Sequence, residues 1–111
     1  MKNNERSLEK IKGELTQKSQ LEINTLEKIK IHTKTILDHS GPSWNLNLLS
    51  TLSRQTLSRV LFYDEIYKLI LNTPGVICEF GTHWCASMSL LSNLRGIYEP
   101  YNHSRKIIGF D

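Results

Sequence analysis

The most constraining stretch of this chain is the turn Pro74-Gly75 and the apolar run Val76-Ile77-Cys78-Glu79-Phe80 that leaves it. Proline cannot continue a helix and glycine frees the turn, so a new element begins here. A short, mostly apolar run bounded in this way predicts a buried strand. Gly81 follows at once, and then Met88, Leu90, Leu91 and Leu94 predict a helix of about ten residues ending near Arg95-Gly96. After a loop over 97–105, the run Lys106-Ile107-Ile108-Gly109-Phe110 predicts a second strand, finishing on Asp111. A strand, a helix and a strand in this order form an α/β unit, with a parallel pair joined by a right-handed crossover.

Open parallel sheets bind ligands outside the carboxyl ends of their strands. A glycine after the first strand lets backbone approach a ligand closely, and the next helix presents free N–H groups with a positive dipole end. An acid closing the second strand accepts hydrogen bonds from both hydroxyls of a ribose. Glu79 and Asp111 occupy strand ends beside that space, and a buried carboxylate needs a partner to offset its desolvation. Two readings stand. In one, Glu79 and Asp111 meet a nucleoside cofactor; in the other, Glu79 pairs with a helix arginine and Asp111 caps the next turn. The G-x-G-x-x-G fingerprint is absent, because His83 stands where the second glycine belongs. Thirty residues separate Gly81 from Asp111, against roughly 20 in the dinucleotide fingerprint. A cofactor with ribose and no pyrophosphate fits better, and S-adenosylmethionine is the common one.

The rest of the chain is leader and support. Residues 1–40 carry 8 basic and 6 acidic side chains out of 14 and 11 in all. This reads as a polar helical leader (1–52) before a denser, core-forming part (53–111). Ser7 precedes Leu8, Ile11 and Leu15 at helical spacing, with Gly13 weakening that first piece. A second stripe runs through Leu26, Ile29 and Ile36 or Leu37 until Gly41-Pro42. Lys18 and Glu22 break any heptad register, so the leader is expected to pack as amphipathic helices on a domain or on a sister subunit of a homo-oligomer. His32 and His39 are expected to be solvated. Trp44, Leu46, Leu48, Leu49 and Leu52 read as an apolar segment packed under the domain. Ser53 is a candidate N-cap for a helix running to about Thr73. On it, Arg54 and Arg59 are either solvated or ion-paired surface cations or, one of them, a group facing a substrate or cofactor cleft.

Composition narrows the class. With 39% hydrophobic and 23% charged residues the chain is globular in character. The net charge of +3 is too small and scattered to mark a nucleic acid or a membrane as partner. No apolar run approaches the roughly 20 residues that span a bilayer. Cys78 and Cys85 make no disulfide framework, which fits a reducing cytoplasm.

The stretch VICEFGTHWCASMSLLSNLRGIYEPYNHSRKIIGFD, with SRQTLSRVLFYDEIYKLI before it, resembles the macrocin O-methyltransferase (TylF-like) family. These are class I S-adenosylmethionine-dependent methyltransferases acting mostly on sugar hydroxyls. The resemblance covers roughly residues 53–111. Its specific points are the acid-x-Gly of Glu79 and Gly81 with Ala86 and Ser87 opening the next helix, and the EPYNHSR loop leading to Asp111. It implies N-terminal helices followed by the first β-α-β unit of a Rossmann-like methyltransferase sheet. It also implies a cofactor pocket built on Glu79, Phe80, Gly81, Thr82, Ser87 and Asp111, with Gly81 against the methionine part and Asp111 on the adenosine ribose. The acceptor implied is a sugar-containing small molecule. Cys85 departs from the pattern, since the family has a second glycine there. The family's catalytic aspartate and its acidic ligands for a divalent metal such as magnesium lie beyond Asp111. No catalytic or metal-binding residue is therefore assigned. The chain is expected to be an N-terminal cofactor-binding part, inactive by itself; the alternative is a non-catalytic interaction module with a degenerate nucleotide-binding half-domain.

Overall fold

The computed structural model describes residues 7–11 and 14–18 by their backbone and residues 19–111 in full. It divides into two compact units, Met1–Leu52 and Ser53–Asp111.

The first unit opens with strands β1 (Ser7–Ile11) and β2 (Glu14–Lys18), paired antiparallel with Ser7 opposite Lys18 and Ile11 opposite Glu14. This corrects the helix expected over Leu8, Ile11 and Leu15. Their spacing suits a helix, but the two-residue gap between Ile11 and Glu14 is the length that joins a hairpin. Gly13 itself lies outside the described residues. Helix α1 (Gln20–His39) starts on a reciprocal cap: Glu22 N–H donates to Ser19 Oγ at 3.3 Å, and Ser19 N–H donates to the Glu22 carboxylate at 2.7 Å. It stops at Ser40, just before Gly41-Pro42, where Gly41 takes a φ of +57°. Ile36 is the buried member of its stripe, and Leu37 is exposed. His32 is more than solvated, since its Nε2 lies 2.9 Å from Ser50 Oγ. A 3₁₀ turn (Gly41–Ser43), a single helical turn α2 (Trp44–Asn47) and a second 3₁₀ turn (Leu48–Thr51) complete the unit. Trp44, Leu46, Leu49 and Leu52 are exposed, contrary to the packed segment expected of them.

The second unit holds α3 (Arg54–Leu69), β3 (Ile77–Phe80), α4 (Ala86–Tyr98) and β4 (Ile107–Phe110). The strands pair in parallel, Ile77 with Ile107 through Phe80 with Phe110. This is the α/β arrangement expected. Ser53 caps α3 as its Oγ accepts from Thr56 N–H at 3.1 Å. Tyr67, fully buried, forms the core with Leu91 and Leu94, and Tyr63, Ile70, Ile77, Leu90, Tyr98 and Ile107 pack around them. Tyr67 and Tyr98 stack at 6.0 Å, and the Tyr98 hydroxyl donates to Asp64 at 2.6 Å. That contact holds Asp64 below the ordinary carboxylate range, with Lys68 adding to the effect.

A buried polar lock closes the core. Arg105 is 3% exposed and donates to Glu99 Oε1 (3.0 Å) and to the carbonyls of Gly75 (2.9 Å), Ile70 (2.9 Å) and Thr73 (2.6 Å). Tyr67 and Asn102 also donate to Glu99, at 2.8 and 2.7 Å. The lock explains why α3 ends at Leu69, short of the expected Thr73: its trailing carbonyls turn to Arg105, which satisfies acceptors that a helix end leaves orphaned. At the other helix, α4 runs through Gly96 to Tyr98, past its expected end, because Tyr98 is anchored on Asp64 and Tyr67.

Candidate functional site

The carboxyl ends of β3 and β4 meet a loop, residues 81–85, that leads into α4. Gly81 N–H donates to Phe110 O at 2.7 Å, so the loop leaves β3 bound to the end of β4. Three of its residues have left-handed backbone: Gly81 (φ +76°), His83 (φ +49°) and Cys85 (φ +62°). For Gly81 this conformation carries no strain, and open space surrounds the position its Cβ would take. Cys85 adopts the conformation with a side chain, at a position where αL geometry costs roughly 1 kcal/mol or more for an L residue. Its hydroxyl-less side chain supplies no cap to α4. The glycine of the family pattern thus has a conformational reason, and Cys85 keeps the geometry without it.

Several of the expected pocket residues lie at or next to these strand ends. Strand alternation places Glu79 on the same face as Ile77, the face packed against the helical core. Its Oε2 is buried and has no hydrogen-bond partner, and no ion pair links Glu79 to an arginine among the described residues. The reading in which a helix arginine neutralises Glu79 is therefore not what the structure holds. Asp111 Oδ1 accepts from His83 N–H at 3.4 Å, which ties the second strand's acid to the loop. Thr82 is half-buried, and its methyl sits where a Cβ on Gly109 would come within 2.5 Å. Gly109 is glycine because the loop crosses directly over it. Phe80 is exposed and stacks on Phe110 at 5.1 Å. Cys78, read from the sequence as a packing residue, is exposed on the same face as Phe80.

Ser87, in the first turn of α4, is buried and accepts from Arg59 Nη2 (3.0 Å) and from the Tyr63 hydroxyl (3.3 Å). Of the two arginines left open by the sequence, Arg59 is the one brought to Ser87. Tyr63 carries no sequence signal of its own beyond its place one turn after Arg59. His103 lies instead in an open depression of about 460 Å³ with Ser92, Arg95 and Lys106. None of the expected residues lines it, and its Arg95 is engaged by the carbonyls of Arg105 and Asn102.

The chemistry of the residues present suits S-adenosylmethionine: Glu79 offers an unpartnered buried carboxylate oxygen, Gly81 has open space at its Cβ position, and Asp111 is an acid at the end of β4. Among the described residues no group of three His, Cys, Asp or Glu side chains could hold a metal ion, and no helix is long and apolar enough to cross a membrane.

The helices and the parallel β–α–β unit match the N-terminal part of a methyltransferase fold. Among solved structures the chain is similar to the crystal structure of CalS11, a calicheamicin methyltransferase, and to the apo structure of CalS11, a TDP-rhamnose 3'-O-methyltransferase of calicheamicin biosynthesis. Each is 35% identical over 86% of this chain, with TM-scores of 0.72 and 0.73. The chain spans 37% and 41% of the length of those two proteins. No protein-family profile matches the chain, and no curated protein matches it.

Proposed function

We propose that this chain is the cofactor-binding N-terminal part of an S-adenosylmethionine-dependent O-methyltransferase acting on a sugar hydroxyl, of the macrocin O-methyltransferase type. The observation that carries the reading is the buried, unpartnered Oε2 of Glu79, two residues before Gly81 on β3. A buried carboxylate oxygen without a donor is costly, and the ammonium of the cofactor's amino-acid end supplies the missing donor. Gly81 leaves room for the chain of the ligand, with Phe80 and Thr82 as its neighbours, and Asp111 accepts from the ribose hydroxyls. Ser87 opens α4 against the same space. When bound, the cofactor would supply an electrophilic methyl on a sulfonium for transfer to an acceptor hydroxyl. The residues of this chain bind and orient that cofactor. Among the described residues none is assigned as catalytic base, acceptor wall or metal ligand. The polar leader and the domain (1–52 and 53–111) then have separate roles, the second carrying the cofactor.

Calorimetric titration with S-adenosylhomocysteine, beside an Asp111→Ala variant of equal fold by circular dichroism, tests the reading. Saturable binding that the substitution abolishes supports it. A folded wild-type chain that binds nothing sinks it and favours the interaction-module alternative.

A further inference from the structure

We propose that the outer face of α3 is a dimerisation surface, occupied by a second copy of this chain in antiparallel orientation. The inner face of α3 carries Tyr63, Tyr67 and Ile70 into the core. The opposite face carries a second apolar set: Leu57, Leu61, Phe62, Ile66 and Leu69 are 39% to 79% exposed. A step of four from 57 to 61, and steps of four and three through 62, 66 and 69, keep them on one side of the helix. A surface helix turns charged and polar residues to water on that side, whereas a helix apolar on both faces is one that is covered on both. Scattered exposed apolar residues are ordinary; a contiguous set of five large ones marks an interaction site.

The charges on the same face select the partner. Arg54 opens α3, is exposed, and makes no hydrogen bond or ion pair among the described residues. No acid stands in the first turn to offset it, although a cation at the positive end of the helix dipole is unfavourable. Glu65 follows eleven residues later, about three turns on, and so lies on the same line of the helix. Its side chain is 75% exposed, and its contact to Lys68 is 3.4 Å long, while Lys68 stands closer to Asp64 at 3.0 Å. Leu57, Leu61 and Phe62 lie between the two charges.

A parallel copy would set Arg54 against Arg54 and Glu65 against Glu65. An antiparallel copy sets Arg54 of each chain against Glu65 of the other, twice, about one two-fold axis. That axis falls midway between them, next to Leu61, so the Leu61 side chains of the two copies meet at the centre. The face is self-complementary, as a two-fold interface requires. Helices packed at about 8–10 Å between axes leave a long arginine within reach of the facing carboxylate. Apolar burial supplies the free energy, and the two charge pairs at the ends set direction and register. One helix pair buries less than the roughly 1,200 Å² of a standard interface, so the dimer exchanges with monomer as concentration falls.

Sedimentation equilibrium of the full chain over a concentration series tests the proposal. The wild-type chain is expected to show a reversible monomer–dimer equilibrium. Leu61→Glu brings two carboxylates together at the centre and is expected to weaken dimerisation by at least about 10-fold, with the circular dichroism spectrum unchanged because Leu61 faces away from the core. Arg54→Glu and Glu65→Arg are each expected to weaken it by about 3- to 10-fold, and the double swap Arg54→Glu with Glu65→Arg to return it to within about twofold of wild type. A role for either residue within one chain would not produce that rescue. A chain still monomeric at about 0.5 mM overturns the proposal, as does a dimer that Leu61→Glu leaves unchanged, which would place the contact on another face. A double swap no stronger than the single swaps overturns it as well. Should Leu61→Glu lose its helical signal, the charge-swap set, which leaves the apolar residues in place, decides alone.

Discussion

Replacing Arg105 by methionine is the perturbation most closely defined by the structure. The side chain is 3% exposed and donates four hydrogen bonds: one to Glu99 and one each to the carbonyls of Gly75, Ile70 and Thr73. Methionine fills similar space but leaves a buried carboxylate without its cation and three carbonyls without donors. Breaking a buried pair by removing one partner costs about 3–5 kcal/mol. A unit the size of Ser53–Asp111, roughly 60 residues, is expected to have only about 3–9 kcal/mol of stability in total. Arg105→Met should therefore remove most of it. Urea unfolding followed by far-ultraviolet circular dichroism measures the loss. Arg105→Lys keeps a charge near Glu99 but not the fork, and it should cost about 1–3 kcal/mol. Adding Glu99→Leu to Arg105→Met should recover part of the loss, because the stranded carboxylate is gone. If Arg105→Met unfolds within about 0.5 kcal/mol of wild type, a typical surface effect, the lock does not hold the core together.

Three further outcomes follow from the same geometry. The Asn102 amide above all, with Arg105 and Tyr67, holds the Glu99 carboxyl below its ordinary value of 4.5; this stabilisation is complete above that pH and is lost as pH falls through the lower folded value. At the alkaline end, burial and then the hydrogen bond to Glu99 push the Tyr67 phenol from 10.0 to about 12, so stability falls as pH rises from 10 toward 12. Urea midpoints across pH should show both limbs, and Glu99→Gln should flatten the acid one. Gly109→Ala puts a methyl 2.5 Å from Thr82 Cγ2 and 3.1 Å from Met88, which should cost about 1–3 kcal/mol and displace the loop, read as lower stability together with weaker cofactor binding. Cys85→Gly removes a side chain from left-handed backbone at φ +62° and should raise stability by about 0.5–1 kcal/mol; a lower melting temperature would count against strain at that position.

The β–α–β unit was legible because its signals are local. Pro74-Gly75 marks where β3 begins, and two short apolar runs with a helical stripe between them leave few alternatives. The hairpin of β1 and β2 was not, because Leu8, Ile11 and Leu15 satisfy a helical spacing as well, and only the placement of Gly13 argued against it. The Arg105 lock was equally hidden: it joins Ile70, Thr73 and Gly75 to a residue at least thirty positions away. In the site, Glu79, Gly81 and Asp111 could be marked by their place at strand ends. Arg59 could only be marked as one of two helix arginines, since its meeting with Ser87 depends on how α3 packs on α4. The exposed Trp44, Leu46, Leu49 and Leu52 show the converse, that an apolar run establishes a tendency to pack and not what it packs on.

A crystal structure of the chain grown with S-adenosylhomocysteine tests the central claim most directly. The ligand is expected over the 81–85 loop, with its ammonium or a bridging water within about 3.2 Å of Glu79 Oε2 and its ribose hydroxyls on Asp111. A ligand bound elsewhere, such as in the depression beside His103 and Lys106, with Glu79 Oε2 still unpartnered, would contradict it.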